Sequence, residues 1–249
     1  MKNVRAVVFP SITVAFLMLF WWGGVAKFDI SPVLLPPPDV VMERLWQSLR
    51  NWEMQPHVLA TLHASAIGYV VGCGMAVLTA IVLVELPLLD RMLYPMILGF
   101  QSMPKVAIAP LILIWLGYGM AGQVTLVALI CFFPPFVNAF NALRKIDPNL
   151  VDLYRALSAG RLRIILQVKL PGAARSIFAG LQIGVLFALI GCVVMEFITG
   201  MEGIGFVILN SANSLDTPLS MAAMIVLSVL GVLLTQSVKW VQNKIVYWE

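Results

Sequence analysis

Long uncharged runs divide the chain into segments that could each cross a lipid bilayer. A membrane-spanning helix needs roughly 20 apolar residues, because lipid offers no hydrogen-bond partner to backbone N–H and C=O groups. Charged residues mark the ends of several runs of that length. The pattern predicts six transmembrane helices, at about residues 6–26, 64–84, 92–116, 123–143, 176–195 and 217–238.

A glycine-rich stretch, rather than a charge, separates the third of these spans from the fourth. Residues 106–143 contain no charged side chain, and this run is too long for one helix. Residues 116–122 offer a natural break, because Gly117, Gly119 and Gly122 favour a turn there. The third span must then begin near Met92 and contain Lys105. Pro95, Pro104 and Pro110 flank this lysine, and proline breaks a helix.

The composition excludes several classes of protein. Hydrophobic residues make up 61% of the 249 residues and charged residues only 11%, and the mean hydropathy is +0.95. A water-soluble domain, a disordered chain and a disulfide-stapled secreted module do not have such values. The three cysteines lie within apolar runs, where they act as small hydrophobic residues. We therefore expect an all-α membrane protein in which residues 1–249 form a single transmembrane domain.

The distribution of Lys and Arg predicts the orientation of the chain. With six spans both termini lie on one side, and that side collects twelve of the 16 cationic residues. The opposite side receives Lys27, Arg44 and Arg50, while Lys105 falls within the membrane. Cationic residues concentrate on the cytoplasmic side of membrane proteins. The termini and the segment 144–175 are therefore predicted to be cytoplasmic.

The cytoplasmic segment 144–175 is predicted to contain a short amphipathic helix. Asp147 followed by Pro148 is typical of a helix N-terminus. Gly160 can end this helix, and a basic helical turn or two then leads to a Leu-Pro pair that precedes the fifth span. Such a segment could lie on anionic lipid headgroups or dock into the groove of a partner protein. Its apolar positions have helical spacing: Leu150, Leu153, Tyr154 and Leu157.

The segment 152–171 resembles the cytoplasmic loop of ATP-binding cassette importer permeases. The pattern of that loop reads E-A-A, three residues, G, nine residues and I-x-L-P. Asp152 stands at the glutamate position, Leu153 and Tyr154 at the two alanine positions, and Ser158 at the glycine position.

Further segments resemble one branch of these permeases, which carries nitrate, sulfonates, taurine, bicarbonate and some vitamin precursors. The resemblance extends over about residues 35–208. Its motifs are residues 35–41, 104–111 with 115–119, 132–134, and 196–200 with 203–205.

The resemblance implies a type I importer permease fold with six transmembrane helices and a short cytoplasmic coupling helix between the fourth and the fifth. It implies a homodimer in a bacterial inner membrane, with ATPase subunits bound to its loops and an external binding protein that delivers a small anion or a vitamin precursor. ATP and Mg²⁺ would be bound by the ATPase, and this chain would hold no cofactor and no metal. The implied coupling residues are Asp152, Leu153, Tyr154, Arg155, Leu157, Ser158 and Gly160.

Lys105 and a glycine-rich turn after the fifth span are the candidates for the solute pathway and its gate. Lys105 could attract an anionic solute, or it could pair with a carboxylate or extend towards the cytoplasmic interface. Glu196 with Gly200 and Gly203 could form a flexible outer gate, although a plain helix C-cap also explains Gly200.

Two other classes of function are weighed against the permease. The chain lacks the G-x-x-x-x-G-K motif of nucleotide-hydrolysing P-loops and the H-E-x-x-H motif of zinc hydrolases, so an enzyme is not expected. An ion-gradient-driven secondary carrier is the alternative transporter, but it usually needs carboxylates near the membrane midplane. The spans contain no carboxylate between their ends.

Overall fold

The computed structural model describes residues 2–247, without the side chains of residues 2–8, 10, 11, 14 and 15. Residues 1, 248 and 249 of the predicted single domain lie outside the described residues. The described chain is helical and contains no strand. Its helices are α1 (Lys2–Phe28), α2 (Pro38–Arg50), α3 (Gln55–Glu85), α4 (Pro87–Ser102), α5 (Ala109–Leu116), α6 (Met120–Cys131), α7 (Phe133–Arg144), α8 (Pro148–Ala156), α9 (Arg161–Ile164), α10 (Leu170–Thr199), α11 (Ile204–Asn213) and α12 (Thr217–Ile245).

Four helical stretches within the described residues are long and apolar enough to cross a membrane. Two of them combine adjacent helices: α6 runs into α7, and α9 continues through a π-helical segment (Ile165–Lys169) into α10. A bent pair of helices, α4 with α5, gives a fifth candidate span. Helix α1 covers the predicted first span, and its apolar part within the described side chains is Phe16–Phe28. The stretches that can cross are Gln55–Glu85, Met120–Arg144, Arg161–Thr199 and Thr217–Ile245.

The third predicted span, residues 92–116, is divided between two helices. Helix α4 ends at Ser102, a 3₁₀ turn (Lys105–Ile108) follows, and α5 begins at Ala109 after a bend of 90°. Pro104 causes the break, because it restricts Met103 to an extended conformation and offers no N–H of its own. Lys105 therefore lies at a bend rather than inside a straight helix.

The centre of the fold is formed by α3, α6, α7 and α10, which approach one another closely through glycines. A Cβ atom on Gly72 would lie 2.5 Å from the carbonyl oxygen of Ala128, and one on Gly180 would lie 2.8 Å from the Cα atom of Pro135. Small residues allow such close contact between helices in lipid, where packing replaces the hydrophobic driving force.

Two short helices accompany the spans and were not predicted. Helix α2 follows α1, and the ten-residue α11 stands between α10 and α12. Both pack into one cluster, in which Ile204 and Ile208 of α11 contact Met54 and Ala223, and Leu45 of α2 packs beside them. A ten-residue helix is about 15 Å long, so α11 cannot cross a bilayer.

Candidate functional site

Helix α8 begins as predicted. The side-chain oxygen Oδ1 of Asp147 accepts a hydrogen bond of 2.9 Å from the backbone N–H of Asn149. Pro148 occupies the first turn, where backbone N–H groups make no bond within the helix, so its lack of an N–H costs nothing. The start of the candidate coupling helix is thus determined by local sequence.

The predicted apolar stripe of α8 is divided between two faces. Val151 is buried against Ile164 and Val168 from the next helical segment, and Tyr154 packs at the edge of this small core together with Ala159. Tyr154 therefore faces inward and holds α8 on the helix that leads into α10. Val151, which no motif marked, provides the central contact.

The other members of the stripe are exposed and form what we call the leucine ridge: Leu150, Leu153 and Leu157. Leu153 is 55% exposed and Leu157 is 71% exposed. Beside them, Asp152 and Arg155 form an exposed ion pair of 3.0 Å. Exposed leucines in a row, next to charges that are already paired, are typical of a surface that contacts a partner.

Helix α8 does not end at Gly160, and this expectation is corrected. The helix ends at Ala156, and Ser158 has the left-handed conformation, with φ of 59°. The N–H of Ser158 bonds to the carbonyl of Arg155, and the N–H of Ala159 bonds to that of Tyr154, which is a Schellman cap. Ser158 therefore takes the conformation for which glycine is best suited, whereas Gly160 is extended at φ of −67°.

Ion pairs connect the coupling segment to the spans beside it. Lys169, in the π-helical segment before α10, pairs with Glu85 at the end of α3. Arg144, at the end of α7, lies 3.5 Å from Asp90 in the first turn of α4. The coupling segment is thus connected to α10 through packing and to α3 through an ion pair.

Lys105 makes its contacts within the chain. Its Nζ donates a hydrogen bond of 2.9 Å to the carbonyl of Gln101 in the last turn of α4, and lies 4.4 Å from the ring centroid of Phe133. Among the described residues, no carboxylate pairs with it. These contacts hold the bend between α4 and the 3₁₀ turn against α7.

Glu196 lies at the centre of a buried hydrogen-bond network near the end of α10. The residue is only 1% exposed. The Thr61 hydroxyl donates to Oε1 over 2.7 Å, the N–H of Gly205 donates to Oε2 over 2.7 Å, and the Cys192 thiol lies 3.3 Å from Oε1. The carboxylate thus joins α3, α10 and α11.

This network satisfies three successive backbone donors at the start of α11. Gly203 N–H bonds to Nδ1 of His57, Ile204 N–H to the Thr61 hydroxyl, and Gly205 N–H to Glu196. The first N–H groups of a helix have no partner within it, and its positive end favours a carboxylate. Sequence reasoning missed Thr61 and His57, because nothing in their spacing reveals a contact with a helix more than 140 residues away.

The two predicted gate glycines have different roles. Gly200 caps α10 in the left-handed conformation, with φ of 61° and open space around its Cα atom. Gly203 has φ of 100°, and a Cβ atom there would lie 2.1 Å from the Glu196 carboxyl. Gly203 is therefore required both by its backbone conformation and by the buried carboxylate.

Known proteins that are similar to this chain are transport permeases. Residues 68–247 match the family described as "Binding-protein-dependent transport system inner membrane component". The riboflavin transport system permease protein RibX of Chloroflexus aurantiacus is 32% identical, covering 96% of this chain and 89% of its own. The formylaminopyrimidine transport permease protein ThiX of Halalkalibacterium halodurans is 27% identical, covering 100% and 99%. The taurine transport system permease protein TauC of Escherichia coli is 26% identical, covering 95% and 88%.

The chain therefore belongs to the family of binding-protein-dependent transport system inner membrane components. It is a multi-pass membrane protein and the permease subunit of an ATP-binding cassette importer, as the resemblance of its loop implied.

Proposed function

We propose that this permease imports a small solute that an external binding protein delivers, and that a separate ATPase subunit drives the transport. The leucine ridge of α8 carries this proposal. Leu153 and Leu157 are exposed on a helix that is itself anchored by the buried Val151. A rigid helix with an unpartnered apolar face is suited to occupy a groove in another protein.

The coupling to the ATPase is assigned to the exposed side of α8 and its cap. Leu153 and Leu157 would fill the groove, Asp152 and Arg155 would flank it, and Ser158 would set the angle at which the chain leaves α8. Tyr154 acts from the inner side, where it transmits the motion to the segment before α10. Gly160 is the N-cap residue of α9 and connects the two helices.

The assembly we propose is a homodimer with two ATPase subunits and one binding protein. The chain would lie in a bacterial inner membrane with both termini in the cytoplasm, as the Lys and Arg distribution favours. ATP and Mg²⁺ would be bound by the ATPase, and this chain would need no cofactor or metal.

The proposed solute is a small organic or inorganic anion or a vitamin precursor. The relatives named above are permeases for taurine, which is a small sulfonate, for formylaminopyrimidine, and for riboflavin, which is a vitamin. Of the two roles considered for Lys105, its hydrogen bond to Gln101 and its contact with the Phe133 ring favour holding the bend over attracting the solute in the pathway. Glu196, Gly200 and Gly203 are proposed as the frame of the outer gate.

Reconstitution in vesicles tests the proposed function. The permease is inserted alone, or with the ATPase subunit and the binding protein encoded beside it, and uptake of the solute that the binding protein retains is measured. We expect uptake only with both partners and hydrolysable ATP. Uptake by the permease alone, driven by a proton or sodium gradient, would instead establish the secondary carrier.

A further inference from the structure

Helix α2 presents three distinct faces, only one of which is covered by the protein. Val41 and Ser48 are fully buried, and Leu45 packs into the cluster formed with α11 and α12. Arg44, on the same side, bonds to Asp216 at the start of α12 and to Glu53. Residues 41, 44, 45 and 48 thus form the protein-facing side.

A second face of α2 is apolar and exposed. It consists of Met42, Trp46 and Leu49, whose spacing of four and three residues places them in one line along the helix. Trp46 is 68% exposed. At about 100° per residue, this line is rotated by about 100° from the buried face.

The third face of α2 is polar and lies opposite the protein. Asp39, Glu43, Gln47 and Arg50 are all exposed, and Gln47 bonds to Glu43 over 3.1 Å. The helix is therefore polar on the side that faces away from the protein. Met42, Trp46 and Leu49 form one flank between the two sides, and Val40 alone is apolar and exposed on the other flank. A surface helix that only packs on its own protein needs one apolar face, so the second apolar face of α2 requires another contact.

Helix α2 lies at the same membrane depth as the ends of several spanning helices. It follows α1, which ends at Phe28, precedes α3, which begins at Gln55, and is bonded through Arg44 to the first residue before α12. The ends of spanning helices lie near the boundary between the hydrocarbon core and water. With 13 residues, α2 is about 20 Å long and too short to cross.

The geometry points to α2 as an interfacial helix whose apolar flank of Met42, Trp46 and Leu49 is embedded in the boundary between lipid headgroups and acyl chains. Trp is enriched at this depth because its ring is apolar and its N–H finds a hydrogen-bond partner. Two carboxylates against one cation on the polar face leave no positive charge to attract anionic lipid. The contact therefore depends on apolar burial and suits a zwitterionic bilayer.

Nitroxide labels test this inference in the full-length permease reconstituted in phosphatidylcholine vesicles. Labels are attached to single cysteines at M42C, W46C and L49C, with E43C and Q47C as matched controls on the polar face. The native Cys73, Cys131 and Cys192 are buried and provide little background. The collision rates of each label with oxygen, which concentrates in lipid, and with a water-soluble nickel complex are compared.

We expect a several-fold higher ratio of oxygen to nickel collisions at M42C, W46C and L49C than at the two controls. Adding an anionic lipid should leave this difference unchanged. Equal, water-like ratios at all five sites would overturn the inference. Shielding of the labels on the apolar flank from both reagents would also overturn the inference, because it would identify a protein as the occupant. Magnetic coupling between the labels would then show that this protein is a second copy of the chain.

Discussion

The buried Glu196 carboxylate is predicted to stabilise the junction of α3, α10 and α11. Replacement by alanine leaves the N–H of Gly205 without a partner and opens a cavity, which together cost about 2–4 kcal/mol. Glutamine keeps the shape and can accept from Gly205 while donating to Thr61, so it should cost about 1 kcal/mol or less. Thermal unfolding of the purified permease measures both effects.

Glu202 provides the control for this prediction, because it is exposed on the turn just before α11. Glu202→Ala removes the same charge without breaking the network and should leave the unfolding temperature unchanged. If Glu196→Ala unfolded at the temperature of Glu202→Ala, the network would not hold α11. If Glu196→Gln were as damaging as alanine, the negative charge itself would be required.

Lys105 is predicted to act on the bend of the third span rather than on the solute. Lys105→Met removes the hydrogen bond to Gln101 and the contact with the Phe133 ring, with a loss of about 1 kcal/mol. Unfolding should occur at a lower temperature, while the solute concentration for half-maximal uptake stays the same. Lys105→Arg, which keeps the cation, is the control. A selective increase in that concentration would place Lys105 in the pathway.

At the level of the element, the end of α8 is predicted to be strained at Ser158. A residue with a Cβ atom in the left-handed conformation costs about 1–2 kcal/mol relative to glycine. Ser158→Gly should therefore raise the unfolding temperature of the permease. Gly160→Ala is the matched control, and it should not raise the unfolding temperature, because Gly160 is already extended and is the N-cap of α9, where alanine is less favourable than glycine. An unchanged or lower unfolding temperature in Ser158→Gly would show that the left-handed conformation of Ser158 is not a source of strain.

The leucine ridge is predicted to transmit the action of the ATPase. Leu153→Asp, or Leu157→Asp, would place a charge in an apolar groove and weaken docking. We expect solute uptake to fall strongly, with membrane insertion unchanged and ATP hydrolysis no longer stimulated by the loaded binding protein. Both activities are measured in the reconstituted complex.

Asn149→Asp serves as the control for the ridge, because Asn149 is exposed on α8 but is not one of its leucines. It adds the same charge near the start of the helix, where a negative charge is favourable. Uptake should stay near that of the unmodified complex. Full uptake in Leu153→Asp would refute the assignment of the ridge.

At the scale of the whole molecule, the Lys and Arg asymmetry predicts which ends of the spans face the cytoplasm. In right-side-out vesicles, a cysteine placed at Gln47 should react with a membrane-impermeant maleimide, and one at Asn149 should react only after the vesicles are opened. The buried native cysteines should stay unlabelled in both cases. The reverse pattern would place α8 outside and remove the basis for ATPase docking.

Features that depend on near neighbours in the chain could be predicted from the sequence. The apolar runs predicted the positions of the spans, because lipid requires every backbone group to be bonded within a helix. Asp147 and Pro148 predicted the start of α8, because an N-cap bond and a proline in the first turn depend only on adjacent residues. The prolines around Lys105 indicated a broken helix, but the choice of Pro104 as the break and the bend of 90° depend on the packing of α4 and α5.

By itself, then, the sequence determined the membrane class, the helical architecture and, through the motifs over residues 35–208, the family. The tertiary structure decided which leucines of α8 are free, and that Ser158 rather than Gly160 turns the chain. It also decided that His57, Thr61 and Glu196 together cap α11. These last features arise where helices distant in sequence meet, and their hydrogen bonds depend on positions in space that no local spacing encodes.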